Sequence, residues 1–167
     1  YTHAMLGGSG DPADFEKNKP NEDNSKFPNT KVVGGIDFVG SKYNAGSDVF
    51  AQRIPIKDNN PMDEGGHGTH VAGTVAGIGD GTSSYNGVAG SGLLYALKVF
   101  GSDGSTSDEV VISALEYAAD PNSDENLDDR LDVVNLSLGS SFGSPKIFYN
   151  LAIRNLTLGG TVVVCSA

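Results

Sequence analysis

The stretch Gly65–Gly77, which reads GGHGTHVAGTVAG, decides the fold of this chain. After the glycine pair, apolar residues recur at helical spacing, which predicts a helix entered through a flexible turn. A glycine inside a helix costs about 1 kcal/mol relative to alanine. Gly68 and Gly73 therefore indicate that another segment approaches this helix closely. A histidine in the first turn of such a buried helix is held firmly and can still face a cleft, which suits a general base.

Three interpretations compete for His67 and His70. A zinc-binding helix requires the pattern His-Glu-x-x-His, with the two ligands about four residues apart. Here the histidines are three residues apart and no glutamate lies between them, which disfavours zinc. Two hydrogen-bonded core histidines and a base that activates a nucleophile both remain compatible with the residues alone.

The composition limits the classes of partner. The chain has 167 residues, a net charge of −10 and a single cysteine. An acidic chain lacks the basic face that nucleic acid requires, so we expect no nucleic-acid partner and a weak preference for cationic peptides. No apolar run approaches the roughly 18 residues of a membrane span, and a single cysteine excludes an intrachain disulfide.

Strand and helix patterns alternate after a polar beginning. Residues 1–30 are rich in Asn, Asp, Lys, Pro and Gly and are predicted to be a surface loop region. Residues 31–167 are predicted to form the core. Its predicted strands are 31–39, 93–100, 131–138 and 161–167, and the helices between them follow Gly66, a Thr106/Glu109 capping box and Ser144-Pro145. This order predicts an α/β fold with a doubly wound parallel sheet.

The octapeptide His67–Thr74, HGTHVAGT, resembles the histidine motif of the subtilisin-like serine proteases, the subtilases. The resemblance implies a subtilisin-like fold and the hydrolysis of peptide bonds in a polypeptide substrate. It also implies that His67 is the catalytic base and that His70 packs structurally.

The same resemblance places the rest of the triad outside this chain. Tyr1-Thr2-His3 is similar to the segment that follows the family's aspartate motif, and 161–167 to the strand before its oxyanion asparagine. The chain is then an incomplete catalytic domain, and we expect it to be inactive alone. The remainder of its own domain is an expected partner, and an exposed sheet edge allows oligomers. The resemblance also implies that the protein is secreted or attached to the cell envelope.

The resemblance also implies a substrate-binding site. Ser137-Leu138-Gly139 matches the segment that lines the primary specificity pocket of subtilases, and Gly104-Ser105-Thr106 matches the opposite edge. Both would grip an extended peptide through main-chain hydrogen bonds, as in β-augmentation.

Two further residues are candidates for other chemistry. Asp37 precedes His67 as a triad aspartate must, but Ile36-Asp37-Phe38 lacks the Ser/Thr-Gly that follows the family's aspartate. Cys165 and His67 could form a cysteine-protease dyad, but Cys165 lies in a strand predicted to be buried, where thiols are inert.

The sequence does not define the ligand residues of a metal site. Calcium as a structural ion is an open expectation, because subtilases often bind it near the turn 79–86, where Asp80 is the single carboxylate. Residues 124–128 begin like an EF-hand but lack its glycine and final glutamate, so we expect a solvated connector. Two other functions stay open: a non-catalytic peptide-binding module derived from a subtilase core, and a calcium-dependent structural domain.

Overall fold

The computed structural model describes residues 1–82, 85–140 and 148–166. Residues Tyr1–Thr106 and Ser107–Ala167 form two compact units. A short helix, α1 (Pro12–Glu16), lies in the segment predicted to be a surface loop. After it, strands and helices alternate as the sequence predicted: β1 (Val32–Asp37), α2 (His67–Ala76), β2 (Leu94–Lys98), α3 (Asp108–Ala119), β3 (Val133–Leu136), α4 (Phe148–Leu158) and β4 (Val162–Cys165). Both sheets are parallel, which confirms the α/β class.

In the first unit, β1 and β2 form a two-stranded parallel sheet. The register joins Ile36 to Leu97 and Asp37 to Lys98, so both strands end at the same edge. A glycine is required in β1 because Gly35 has a φ of +141°, and a Cβ there would lie 2.1 Å from the carbonyl oxygen of Ala96. The pair Gly34-Gly35 thus permits a close contact between β1 and β2 that larger residues would prevent.

The polar residues 1–30 lie mostly at the surface, but they also contain a 3₁₀ turn, Ala4–Leu6, and α1. The segment is anchored by Asn60, whose side chain is 1% exposed. Its amide oxygen accepts a hydrogen bond from the Tyr1 hydroxyl at 2.7 Å, and its amide nitrogen donates to Asn18 Oδ1 at 2.9 Å. A buried polar network therefore holds residues 1–30 in place, because this polar segment has no periodic apolar face that could pack against the core.

In the second unit, β3 and β4 pair in parallel register from Val133–Val162 to Leu136–Cys165. Helices α3 and α4 pack on each other, and α4 contacts β4. One face of α3 forms the core of this unit with Leu156 of α4. The core residues on α3 are Val110, Val111, Ala114, Leu115 and Ala118.

Several local predictions are wrong. The N-cap of α3 is Ser107, and Thr106, expected to cap it, has a buried hydroxyl without a partner among the described residues. The strand β4 was expected to be buried, yet Cys165 is exposed, because β4 has a neighbouring strand on one side only among the described residues. The predicted start of α4 at Ser144-Pro145 lies outside the described residues.

Candidate active site

Helix α2 begins at His67, directly after Gly66, whose φ of +82° lies in the left-handed region. The preceding turn is held by Asp63. One oxygen of its carboxylate accepts hydrogen bonds from the amides of Gly65 at 3.0 Å and Gly66 at 2.8 Å, and the other accepts from the amide of Thr69 at 2.7 Å. The carboxylate therefore satisfies amides that the first turn of a helix leaves unpaired.

These hydrogen bonds control the charge of Asp63. Burial of the carboxyl group raises the pKa of Asp63, but the hydrogen bonds from the hydroxyl and amide of Thr69 and from the amides of Gly66 and Gly65 outweigh burial. The pKa of Asp63 therefore lies below its ordinary value. The turn in front of His67 is thus fixed by an ionised carboxylate at neutral pH.

A second link connects this turn to the sheet. The ammonium group of Lys98, the last residue of β2, lies 2.6 Å from Asp37 Oδ2 and 3.2 Å from Glu64 Oε2. Asp37 is 1% exposed, and its other oxygen accepts hydrogen bonds at 2.8 Å from the amides of Val39 and Gly40. Lys98 therefore ties the ends of both strands to the segment that leads into His67.

The contacts of Asp37 explain its role. Both of its carboxylate oxygens are engaged, one by two backbone amides and the other by Lys98. The side chain is buried among these partners and shapes the end of β1. We therefore assign Asp37 to the structure of the sheet edge, which agrees with the motif mismatch noted in the sequence.

The side chain of His67 is exposed, and it forms no hydrogen bond with the part of the chain that the structure describes. Its imidazole is thus open to a reacting group at the start of α2. His70 is also exposed, so its predicted packing is wrong for the described residues. The reason is that α2 is less buried than its composition indicated, with Ala76 as its buried residue.

The close approach to α2 occurs along its last turn, on the backbone that begins at Gly73. A Cβ on Gly87 would lie 2.7 Å from the carbonyl oxygen of Gly73 and would also clash with the amide nitrogen of Gly77, whereas the Cβ position of Gly73 itself is open among the described residues. At Gly68 the neighbour is the Asp63 carboxylate, at 3.6 Å. The amide of Ala89 also donates to the carbonyl oxygen of Val75 at 2.7 Å. A backbone segment after the turn 79–86 therefore caps the C-terminal end of α2.

The predicted substrate residues fall into both units. In the first unit, Gly104 is exposed with a φ of +70°, and Ser105 and Thr106 are half-buried. Their backbone amides and carbonyls form no hydrogen bonds within residues 1–82, 85–140 and 148–166. This edge thus has the unpaired main-chain groups that β-augmentation uses.

The other predicted substrate residues follow β3 in the second unit. Ser137 and Leu138 are half-buried, and Gly139 is exposed. The carbonyl oxygen of Leu138 accepts a hydrogen bond from the Ser166 hydroxyl at 2.8 Å. The segment is therefore held beside the end of β4.

Two regions bear on metal binding: the turn 79–86 and the acidic connector after α3. In the turn 79–86, where calcium was expected, Asp80 accepts a hydrogen bond from the amide of Thr82 at 2.8 Å. Residues 83 and 84 of this turn are not among the described residues. The predicted solvated connector spans residues 120–132; of these, 122–128 and Asp132 are exposed, and the others are half-buried. Among the described residues, no group of three or more His, Cys, Asp or Glu side chains is arranged to hold a metal ion.

Within the described ranges, no helix combines the length and the apolar character needed to cross a bilayer.

Comparison with known proteins gives a consistent result. The sequence is similar to subtilisin DY of Bacillus licheniformis, 38% identical over 138 residues, which is 82% of this chain and 40% of that protein. It is 33% identical over 143 residues to a subtilisin of Bacillus pumilus, 86% of this chain and 42% of that protein. The chain thus spans less than half the length of these relatives. Residues 14–167 match the sequence model of the subtilase family, and the chain belongs to that family.

Proposed function

We propose that this chain is part of the catalytic domain of a serine endopeptidase and that His67 is its general base. The observation that carries the proposal is the exposed imidazole of His67 at the first turn of α2, on a turn fixed by Asp63 and Lys98. The family membership and the octapeptide His67–Thr74 support the same assignment.

In the proposed reaction, His67 removes the proton from a serine hydroxyl as that oxygen attacks the carbonyl carbon of the scissile peptide bond. The protonated imidazole then transfers the proton to the leaving amine. An aspartate orients the imidazole, and amide donors stabilise the oxyanion. By the family resemblance these other groups belong to segments outside residues 1–167.

The proposed substrate is an extended polypeptide. The unpaired main-chain groups of Gly104, Ser105 and Thr106 support pairing with a peptide strand. Ser137, Leu138 and Gly139 supply the wall of the primary specificity pocket by resemblance. The same proposal includes a structural calcium ion and the remainder of the catalytic domain as a partner. It also includes secretion of the protein or its attachment to the cell envelope. Oligomers formed through an exposed strand edge of a sheet are a further part of the proposal.

The test is peptidase activity of the full-length protein that contains this chain. We expect hydrolysis that a serine-directed inhibitor abolishes, and loss of activity in His67→Ala by a factor approaching the roughly 10⁶ found when the subtilisin histidine is removed. His70→Ala is the matched control, because His70 is also exposed and lies on the same helix; this variant should retain most of the activity. Full activity in His67→Ala would disprove the assignment.

A second arm concerns the chain alone. A polypeptide of residues 1–167 should not hydrolyse peptides, because its proposed nucleophile belongs to another segment. A protein that binds peptides without cleaving them would instead indicate a non-catalytic peptide-binding module.

A further inference from the structure

An exposed apolar loop lies in the first unit between β1 and α2. Its tip is the 3₁₀ turn Phe50–Arg53. Phe50 is 68% exposed and Val49 is 56% exposed. The Arg53 guanidinium carbon lies 5.5 Å from the centre of the Phe50 ring, a distance at which a cation attracts an aromatic face. We call residues 49–54 the Phe50 knuckle.

The loop that carries the knuckle is attached to the proposed substrate edge. The amide of Gly46 donates to the Ser105 hydroxyl at 3.2 Å. The amide and the hydroxyl of Ser102 both donate to the carbonyl oxygen of Ser41, at 3.0 Å and 3.1 Å. These contacts fix residues 41–46 beside the segment that leads to Gly104–Thr106.

The knuckle is in turn fixed to residues 44–47. The amide of Asn44 donates to the carbonyl oxygen of Gln52 at 2.8 Å, and the amide of Val49 donates to the Ser47 hydroxyl at 3.0 Å. The amide of Gln52 donates to the carbonyl oxygen of Val49 at 3.0 Å. The aromatic ring is therefore presented by an ordered turn, whose position relative to Ser105 is set by hydrogen bonds.

We propose that the Phe50 knuckle is an additional substrate subsite, which contacts a large apolar side chain of the peptide bound along Gly104–Thr106. The inference rests on the proposed function, because it needs a peptide on that edge. An extended peptide advances about 3.3 Å per residue, so a residue a few positions from the paired segment reaches a loop joined to Ser105. A second copy of the chain is a poorer occupant, since copies of net charge −10 repel each other.

The experiment compares Phe50→Ala with wild type in the full-length protein, using a short peptide and the same peptide extended by three leucine residues on either side of the cleaved bond. In wild type, adding the three leucine residues on one of the two sides should raise kcat/KM above that of the short peptide. Phe50→Ala should lower kcat/KM about 5–30-fold for that extended peptide, as expected for a partly buried aromatic contact, and less than twofold for the short one.

Ile56→Ala is the matched control. Ile56 is 67% exposed, close to the value of Phe50, but its amide is bonded to the carbonyl oxygen of Val39 rather than to the loop that contacts Ser105. It should leave kcat/KM for both peptides within twofold of wild type. Equal effects of the two variants, an effect independent of peptide length, or no effect of Phe50→Ala would overturn the subsite.

A binding measurement separates this inference from the proposed function. Fluorescence polarisation with the labelled extended peptide and the His67→Ala protein gives a Kd without turnover. A Kd that rises about 5–30-fold when Phe50→Ala is added to His67→Ala supports the subsite. If the wild type then hydrolyses no peptide, the proposed catalysis is refuted but the subsite is not. Hydrolysis with a Kd independent of Phe50 refutes the subsite alone. A dimer that Phe50→Ala dissociates, with kinetics unchanged, would assign the knuckle to self-association and also refute the subsite.

Discussion

Replacing Lys98 by methionine tests the link between the sheet and the turn before His67. Methionine retains much of the apolar stem but removes the charge that Asp37 and Glu64 share. Lys98 and Asp37 have side chains that are 10% and 1% exposed, so water cannot replace the ammonium group around Asp37. Glu64 is 19% exposed and can regain part of its hydration.

The magnitude follows from this difference in exposure. Removing one partner of a buried ion pair costs about 3–5 kcal/mol, because an uncompensated charge remains in the interior. We therefore expect Lys98→Met to lower the free energy of unfolding by about that amount. Glu64→Gln should cost only about 1 kcal/mol or less, since the pair it breaks is nearer to solvent.

The assay is denaturant-induced unfolding of the full-length protein, with a serine-directed inhibitor present to prevent self-digestion. The matched control is the double variant Lys98→Met/Asp37→Asn. Its asparagine oxygen can still accept the amide hydrogen bonds of Val39 and Gly40, while position 37 no longer carries an uncompensated buried charge. The double variant should be destabilised less than the sum of its single variants, by about 0.5–3 kcal/mol. Strict additivity, or a Lys98→Met cost below about 1 kcal/mol, would refute the argument.

Three further predictions concern the first unit of the full-length protein. Folding lowers the pKa of Asp63, so the ionised carboxylate stabilises the folded state above its unfolded pKa, and this stabilisation is lost as the pH falls through the folded pKa. Asp63→Asn should therefore lower the free energy of unfolding at pH 7 and differ little from wild type near pH 2, as measured by denaturant unfolding at both pH values. Gly35→Ala should cost at least about 2 kcal/mol, because a Cβ would contact the Ala96 carbonyl. Its control is Gly46→Ala, where a Cβ would meet only side-chain atoms of Ser105 and Asn44, at 3.4 Å and 3.6 Å; equal melting temperatures of the two variants would contradict the prediction. Asn60→Ala should cost about 1–3 kcal/mol in denaturant unfolding, since it leaves the buried Asn18 side chain short of a partner; an unchanged midpoint would refute this.

Patterns that are local in sequence predicted local structure well. The glycine pair and apolar spacing predicted a helix that begins at His67, and the β-branched run predicted β1. The cap of α3 was placed one residue early, because Thr106 and Ser107 are both good capping residues. The choice between them depends on where the preceding loop ends, which composition does not encode.

Burial was predicted less well, because it depends on neighbours distant in the chain. An apolar strand such as β4 was expected to be buried, but its exposure follows from which faces and edges other elements cover. The same reason explains His70, whose surroundings were inferred from helix composition. Substrate residues Gly104–Thr106 and Ser137–Gly139 remain predictions, since family resemblance alone assigns their role.

The contact that most affects the proposed site was missed although its signal is present in the sequence. Asp37 and Lys98 are the last residues of β1 and β2, and parallel strands that pair in register bring their carboxyl ends to one edge. In open parallel sheets ligands bind outside this edge, so opposite charges that end adjacent strands there are candidates to support a site. Asp37, considered as a triad member because it precedes His67, instead stabilises the start of α2 through Lys98 and Glu64. An acidic residue upstream of a catalytic histidine is therefore better judged by the strand end it occupies than by its interval from the histidine.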